Sequence, residues 1–378
     1  MSQRVSNRPA HKHALDVAHP PLRPGTARAV LLPVAVVLLI GTLFVSVYLA
    51  AFHAPRPHEL RVGTTEVGTR QAHLREDLER VAPGGFTLET YPDKSSARQA
   101  VEDRSVYGAY LGKGNLLYGS ANGAAVTATL TTAFASVAHA DNHDLSVEDV
   151  APAAAGDTRG LSVFYAAFGL VLAGYLFGLT TYQLAPRLQY RWRMASLALF
   201  GAVGGVLVAA IGGSTGFDAL PGAFLPLALI IALMGAAVGG TTMVLLRLFG
   251  SAGVSLASIL LLILGNSSSG GVMPAAYLPA WLRPLSEILP VGVGVRAMQG
   301  LSRFENDGLA RALVILPLWV LGAAAVLYLK DVFRRADPAG VQEAVELKET
   351  AVSPDWRAAA RSAPPDWPTS TPARAPWS

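Results

Sequence analysis

Three stretches of this chain carry residue types that could do bond-making chemistry. Gly108-Ala109-Tyr110-Leu111-Gly112-Lys113-Gly114 sets a lysine in a glycine-rich run of the kind that cradles phosphate. Its spacing differs from a phosphate loop, and no Ser or Thr follows Lys113 to hold magnesium. Gly212-Gly213-Ser214-Thr215-Gly216 matches the G-x-S-x-G nucleophile elbow. That motif needs a strand-to-helix turn with His and acid partners, whereas here it falls in a loop between two apolar runs. His139, Asp141, His143 and Asp144 could hold zinc, but structural sites take four ligands at fixed separations, and a solvated loop explains the same residues. His11 and His13 in the N-terminal segment are read in the same way. The chain has no cysteine, so it has no thiolate nucleophile, cysteine-ligated zinc or disulfide. The expectation is a chain with no catalytic residue, metal or cofactor of its own.

A fourth stretch is polar without being catalytic. Gly265-Asn266-Ser267-Ser268-Ser269-Gly270-Gly271-Val272-Met273-Pro274 follows the apolar SLASILLLIL and precedes a segment that is half apolar. Lipid cannot satisfy hydrogen bonds, so such groups at membrane depth must face protein or a wetted cavity. Asn266, Ser267, Ser268, Ser269, Gly270 and Gly271 are therefore expected to line a substrate path near an outer gate. Beyond Pro274, the residues Trp281, Leu282, Leu285, Ile288 and Leu289 share one helical face, with Arg283 and Glu287 on another. Pro279, Pro284 and Pro290 keep these pieces short. The spacing predicts a re-entrant outer segment over 274–304.

The elements that must position these residues follow from composition. Of 378 residues, 52% are hydrophobic and 15% charged, with a mean hydropathy of +0.39. Soluble domains carry about a quarter charged residues, so this is a membrane chain. Runs near the ~20 residues a bilayer demands are Leu31 to Ala50, Leu161 to Leu184, Met194 to Gly213, Ala223 to Leu246, Gly250 to Met273 and Leu309 to Leu329. The expected fold is an α-helical polytopic membrane protein with six transmembrane helices. The first run exceeds a signal peptide's apolar core and lacks a small-x-small cleavage site, so it reads as an anchor.

Arg23, Arg28, Arg187, Arg191, Arg193, Arg247, Lys330, Arg334 and Arg335 fall on one side if the runs alternate. The positive-inside rule then puts both termini in the cytoplasm of a multi-pass cell-membrane protein. Residues 1–28 read as a basic cytoplasmic tail lying along anionic lipid, 29–52 as the first helix, and 336–378 as a disordered tail containing Asp355-Trp356 and Asp366-Trp367. Residues 53–160 are then extracellular and inserted between the first two helices. HELRVGTT, FTLETY, SVYGAYL and NLLYGS read as strands. TRQAHLREDLERVA, DKSSARQAVEDR and ANGAAVTATLTTAFASVAHA read as helices, making a small α/β domain. Residues 161–335 form the remaining five-helix bundle.

Within that bundle, Gly174 and Gly178, Gly201 and Gly205, and Gly235 and Gly239 each form G-x-x-x-G, which lets helices approach closely, within one bundle or at a dimer face. No Asp, Glu, Lys or His lies inside the six runs, and Arg311 stands only at the entrance of the last. Ion- and proton-coupled carriers keep such residues, so coupling to a gradient is disfavoured. No inverted repeat is visible either.

The sequence Gly270-Gly271-x-x-Pro274, then Leu278-Pro279, Leu289-Pro290, Arg296 and Gly300, resembles the signature after the fifth span of type-2 ABC transporter permeases. One span, a large insert and five more spans also resembles the phage-infection-protein-like branch of that family. The resemblance implies a membrane subunit of an ABC exporter that moves a lipid-like or amphiphilic substrate outward. Its partners would be a separately encoded ATPase, a second permease copy in a homo- or heterodimer, and membrane lipid, with no nucleic acid. It further implies that the ATPase docks on the connection Ala185 to Arg193, where Arg187, Arg191 and Arg193 offer charge and Tyr190 and Trp192 an aromatic anchor. A non-transporting receptor or envelope-assembly scaffold with a ligand-binding ectodomain is the competing expectation.

Overall fold

The computed structural model describes the backbone of residues 26–336 and the side chains of 29–333. The expectations for His11, His13, Arg23, Asp355-Trp356 and Asp366-Trp367 lie outside the described residues. The chain is mostly helical, with one small sheet set between the first and second long helices.

Helix α1, Thr26–Phe52, opens the described chain. The sheet module follows as β1 (Leu60–Thr64), α2 (Thr69–Val81), β2 (Phe86–Thr90), α3 (Lys94–Glu102), β3 (Gly108–Tyr110), β4 (Asn115–Tyr118), α4 (Ala124–Ala140) and β5 (Ser146–Asp149). Its order is β2-β1-β3-β4-β5; β1 runs parallel to β2 and β3, β4 is antiparallel to β3, and β5 is parallel to β4. The apolar alternation of Leu60 and Val62 buries one side of β1 under Leu74, Leu78, Leu130 and Phe134 of α2 and α4. Ala97, Ala100 and Val101 of α3 close the other side with Ala109 and Leu117. Asp93 caps α3 by accepting a 2.8 Å bond from the Ser96 amide. The edge strand β5, SVED, is exposed throughout, so no buried alternation announces it.

Four further long helices follow: α5 (Ser162–Leu184), α6 (Tyr190–Gly212), α7 (Phe224–Phe249) and α11 (Leu309–Ala336). With α1, five helices are long and apolar enough to cross a membrane, consistent with a multi-pass membrane protein. Helix α7 is the centre: 72% of its apolar window is buried, against 6% for α1. It packs on α5, α6 and α11.

The glycine pairs explain how these helices come so close. Gly174 and Gly178 of α5 lie against Val238, Gly239 and Thr242 of α7, and a Cβ at Gly178 would stand 2.6 Å from the Thr242 Cβ. Gly201 and Gly205 of α6 lie on Ala228, Ala232 and Ala236 of the same helix. Gly235 receives Leu170, and Gly239 receives Phe177. All six therefore serve packing inside one copy.

The run from Gly250 to Met273 forms a continuous apolar helix only over Ser251–Gly265, shorter than the five long ones. It gives α8 (Ser251–Ala257), a π-helical stretch over Ser258–Gly265, a final turn and then irregular chain. A uniformly apolar run hides this change of winding, because every face is hydrophobic. A 3₁₀ turn over Ala275–Tyr277, α9 (Arg283–Ile288) and α10 (Pro290–Arg303) follow. Helix α10 is deeply buried against α7, α11 and α5. Pro284 and Pro290 sit in the first turns of α9 and α10, where a missing N–H costs nothing.

Candidate functional site

Two of the contacts between the module and the bundle frame the site. Tyr277 enters the module's core beside Leu60, Val126 and Leu130, and the amide of His58 donates to the Ala276 carbonyl at 2.9 Å. Beside it, within the bundle, Val47 and Ala51 of α1 pack on Ile263, Leu278 and Leu282. The second contact is ionic. Arg104, in the left-handed region at φ 60, is buried and reaches across to Asp307 in the turn before α11. Its Nε and Nη2 donate to Asp307 Oδ2 at 2.7 and 2.5 Å, and Nη1 donates to Gln299 Oε1 at 2.7 Å. The guanidinium also lies 4.5 Å from the centre of the Phe304 ring.

Asp307 binds a second guanidinium. Arg296 Nε and Nη2 donate to its two oxygens at 3.1 Å. Burial alone would raise the Asp307 pKa, but the charges and hydrogen bonds of Arg104 and Arg296 outweigh it and hold the carboxyl below its ordinary value. Gly308 makes room for this arrangement: at φ +76, its missing Cβ would stand 2.8 Å from Arg296 Cγ.

Around this ionic junction lies a solvent-open pocket with a cavity volume of about 60 Å³. Arg104, Tyr107 and Asn122 come from the module, Ser269, Gly270, Pro274 and Ala275 from the broken fifth segment. Ser286, Glu287, Arg296 and Arg311 form much of the remaining wall, and Arg311 Nη1 pairs with Glu287 Oε2 at 2.8 Å. This concavity joins both halves of the molecule, and its charged side chains recognise charge and hydrogen-bonding capacity.

Of the residues expected near an outer gate, Ser269, Gly270, Pro274 and Arg296 line this pocket. Asn266, Ser267 and Ser268 are buried and do not contribute to its wall; their side chains donate back to the Leu262 and Leu264 carbonyls. Gly271 packs on Phe164, where a Cβ would stand 3.0 Å from the Phe164 Cβ. Pro279 lies in the turn before α9, and Pro290 is buried at the start of α10. Arg104, Tyr107, Asn122, Gln299 and Asp307 were not among the expected site residues. Arg104 and Asp307 are 203 positions apart, so no local spacing joins them.

At the end of the bundle remote from the module, the connection expected over Ala185 to Arg193 is shorter, because α6 already begins at Tyr190. Arg187, Arg191 and Trp192 are exposed, and the Arg191 guanidinium lies 5.4 Å from the Trp192 ring centre. Tyr190 packs edge-on against Tyr328 of α11. Arg193 is not a surface charge. It is buried, donates to the Leu188 carbonyl at 2.8 Å and pairs with Asp331 at 3.7 Å. Asp331 also binds Arg247 of α7 at 3.0 Å, and Arg247 donates to the Pro186 carbonyl at 3.3 Å. Helix α11 runs past the apolar stretch seen in sequence, and this extension brings Asp331 inward.

The other motifs take local roles. Gly108 to Gly114 is the β3–β4 hairpin with no helix after it, and Gly112, Lys113 and Gly114 all have positive φ. Gly212 to Gly216 follows the end of α6 rather than a strand. His139, Asp141, His143 and Asp144 end α4, and among the described residues no three His, Asp or Glu side chains gather as metal ligands would.

No family model matches the chain, and neither does any curated protein or solved structure. The functional reading therefore stands on the geometry and on the residues that carry the resemblance.

Proposed function

We propose that this chain is the membrane permease subunit of an ABC-type exporter, moving a lipid-like or amphiphilic substrate outward with energy from a separately encoded ATPase. The observation that carries this is the fate of the fifth apolar segment. It passes from α to π winding at Ser258 within one continuous short helix, and its end delivers Ser269 and Gly270 to a pocket roofed by the sheet module. π-helical turns concentrate at functional sites, and irregular backbone at membrane depth is tolerated beside a cavity.

On this reading the broken segment and the pieces up to α10 act as a sixth membrane element with a re-entrant outer cap. The module is extracellular, both termini are cytoplasmic, and the subunit works in the cell membrane as a homo- or heterodimer. Hydrolysis belongs to the partner, so this chain is not itself an enzyme. Arg187, Arg191 and Trp192 form the docking surface for the ATPase, and the Arg193–Asp331–Arg247 cluster passes its movement to α6, α7 and α11.

The competing function is a receptor or scaffold that uses the module as a ligand-binding domain. The module has its own buried core and two open sheet edges, which such a domain would need. Co-purification decides between them. The tagged full chain should retain an ATP-hydrolysing subunit in mild detergent. A chain that inserts normally, retains none and still binds an envelope ligand through the module would replace the exporter with the scaffold.

A further inference from the structure

The pocket beneath the module has a composition that narrows what it can hold. Two of its cations are committed: Arg104 is buried on Asp307, and Arg296 shares the same carboxylate. The third, Arg311, is held differently. Its partner Glu287 is on the pocket wall too, and the two side chains are 45% and 49% exposed. An ion pair this exposed is worth little in energy, so a ligand that offers each charge a new partner exchanges for it readily. Asn122 on the same wall is nine-tenths buried, its Nδ2 donates to the Gly119 carbonyl at 3.2 Å, and its Oδ1 is closed off from the pocket.

The surroundings of Arg311 add an apolar direction. Val314 and Leu318 follow at three and seven residues, on the same face of α11, and are 59% and 61% exposed. Ile288, next to Glu287, is exposed as well, and its carbonyl accepts from Trp319 Nε1 at 2.9 Å. Trp281 lies exposed nearby in sequence. Tryptophans gather at the level of lipid headgroups. An apolar stripe thus leads along the bundle surface to a separable Arg–Glu pair at the pocket wall.

We infer that this pocket binds a phosphate-bearing headgroup with a neighbouring amine, the phosphate on Arg311 and the ammonium on Glu287, with acyl chains along Val314 and Leu318. The inference rests on the exporter reading only for what becomes of the ligand after binding. Arginine and phosphate form paired charge-assisted hydrogen bonds, which a neutral glycerol headgroup cannot replace.

Binding is tested with the purified full chain and no ATPase, by native mass spectrometry and titration. Lysophosphatidylethanolamine should bind about tenfold more tightly than a monoacylglycerol of equal chain length, and Arg311→Gln should remove that preference while Arg311→Lys, which keeps the charge but not the fork, should retain part of it. Glu287→Gln should abolish discrimination between lysophosphatidylethanolamine and lysophosphatidic acid. Free phosphoethanolamine, lacking the chain, should bind at least about tenfold more weakly than the lipid. Equal binding of the phospholipid and the monoacylglycerol, or a preference surviving Arg311→Gln in a folded protein, overturns the site. Equal binding of free phosphoethanolamine overturns the membrane source. Because no ATPase takes part, failure here leaves the exporter reading standing, and a missing ATPase leaves headgroup binding standing.

Discussion

Arg104 and Asp307 come from opposite halves of the chain, yet their side chains meet at 2.5 Å and both are largely buried. The pair fastens the sheet module over the pocket. Arg104→Ala would leave Asp307 with Arg296 alone and would empty the space over Phe304. Breaking a buried pair from one side costs about 3–5 kcal/mol, so the module should detach while the bundle persists. Limited proteolysis of the 150–160 connection should accelerate, and Arg104→Lys should fall between the variant and the wild type because it lacks the planar fork. Unchanged proteolysis in Arg104→Ala would show that the contacts around Tyr277 hold the module without this pair.

The same junction sets a pH response. The Asp307 carboxyl is held below its ordinary value, so it binds protons less readily when the module is docked. Its contribution is fully present above the ordinary value of about 4 and is lost as pH falls through the depressed one. Proteolytic release of the module should therefore be flat between about pH 5 and 8 and rise only in stronger acid. Asp307→Asn should remove this acid dependence.

Tyr277 responds at the other extreme. Burial pushes its hydroxyl up to about 12, since it sits within the module's core next to Thr129. Its neutral form is the one the fold favours, so this contribution is intact below about 10 and lost as pH rises through the folded value. Titrated by absorbance near 295 nm, wild type and Tyr277→Phe should differ by one tyrosine that ionises late. A difference titrating near 10 would mean that the 273–277 segment does not enter the module.

The module was legible in sequence because period-two and helical spacing mark its elements wherever one face is buried. β1 to β4 and α2 to α4 follow those patterns, and β5 escaped because every residue in it faces solvent. The long helices were legible from length and apolarity. The π stretch over Ser258–Gly265 was not, since winding leaves no trace where all faces are apolar. The site was half legible. Ser269, Gly270 and Arg296 stand in or near the polar break, whereas Arg104, Asn122 and Asp307 are charged or polar residues of ordinary-looking turns that only tertiary folding brings together. Asp331 lay just past the apolar run ending at Leu329, where nothing in the sequence marked it as buried.

The polar break itself now predicts a pattern of accessibility. Ser268 is fully buried and its Oγ donates to the Leu264 carbonyl at 2.6 Å, whereas Ala275 is half-buried on the pocket wall. In this cysteine-free chain, Ala275→Cys should react with a small polar thiol reagent and Ser268→Cys should not. Ser268→Leu should cost about 1–3 kcal/mol by overpacking against the same helix. Rapid labelling at Ser268→Cys would mean that the break opens to water far more widely than its burial allows.

At the remote end, burial separates residues that sequence had grouped together. Arg187, Arg191 and Trp192 face outward, with Trp192 57% exposed, while Arg193 is buried on Asp331. Arg191→Glu with Trp192→Ala should leave thermal stability within about 0.5 kcal/mol, as surface changes do, and yet abolish ATPase co-purification. Asp331→Ala should do the reverse in its first effect. It strands Arg193 and Arg247 without their shared carboxylate, so stability should fall by about 3 kcal/mol. Any ATPase that still binds should then fail to drive export, because the cluster tying α6, α7 and α11 to the Pro186 connection has been cut. Thermal denaturation, pull-down and export measured on the two variants separate docking from transmission. Full ATPase retention by the Arg191 and Trp192 double variant would remove the docking surface from this end of the molecule.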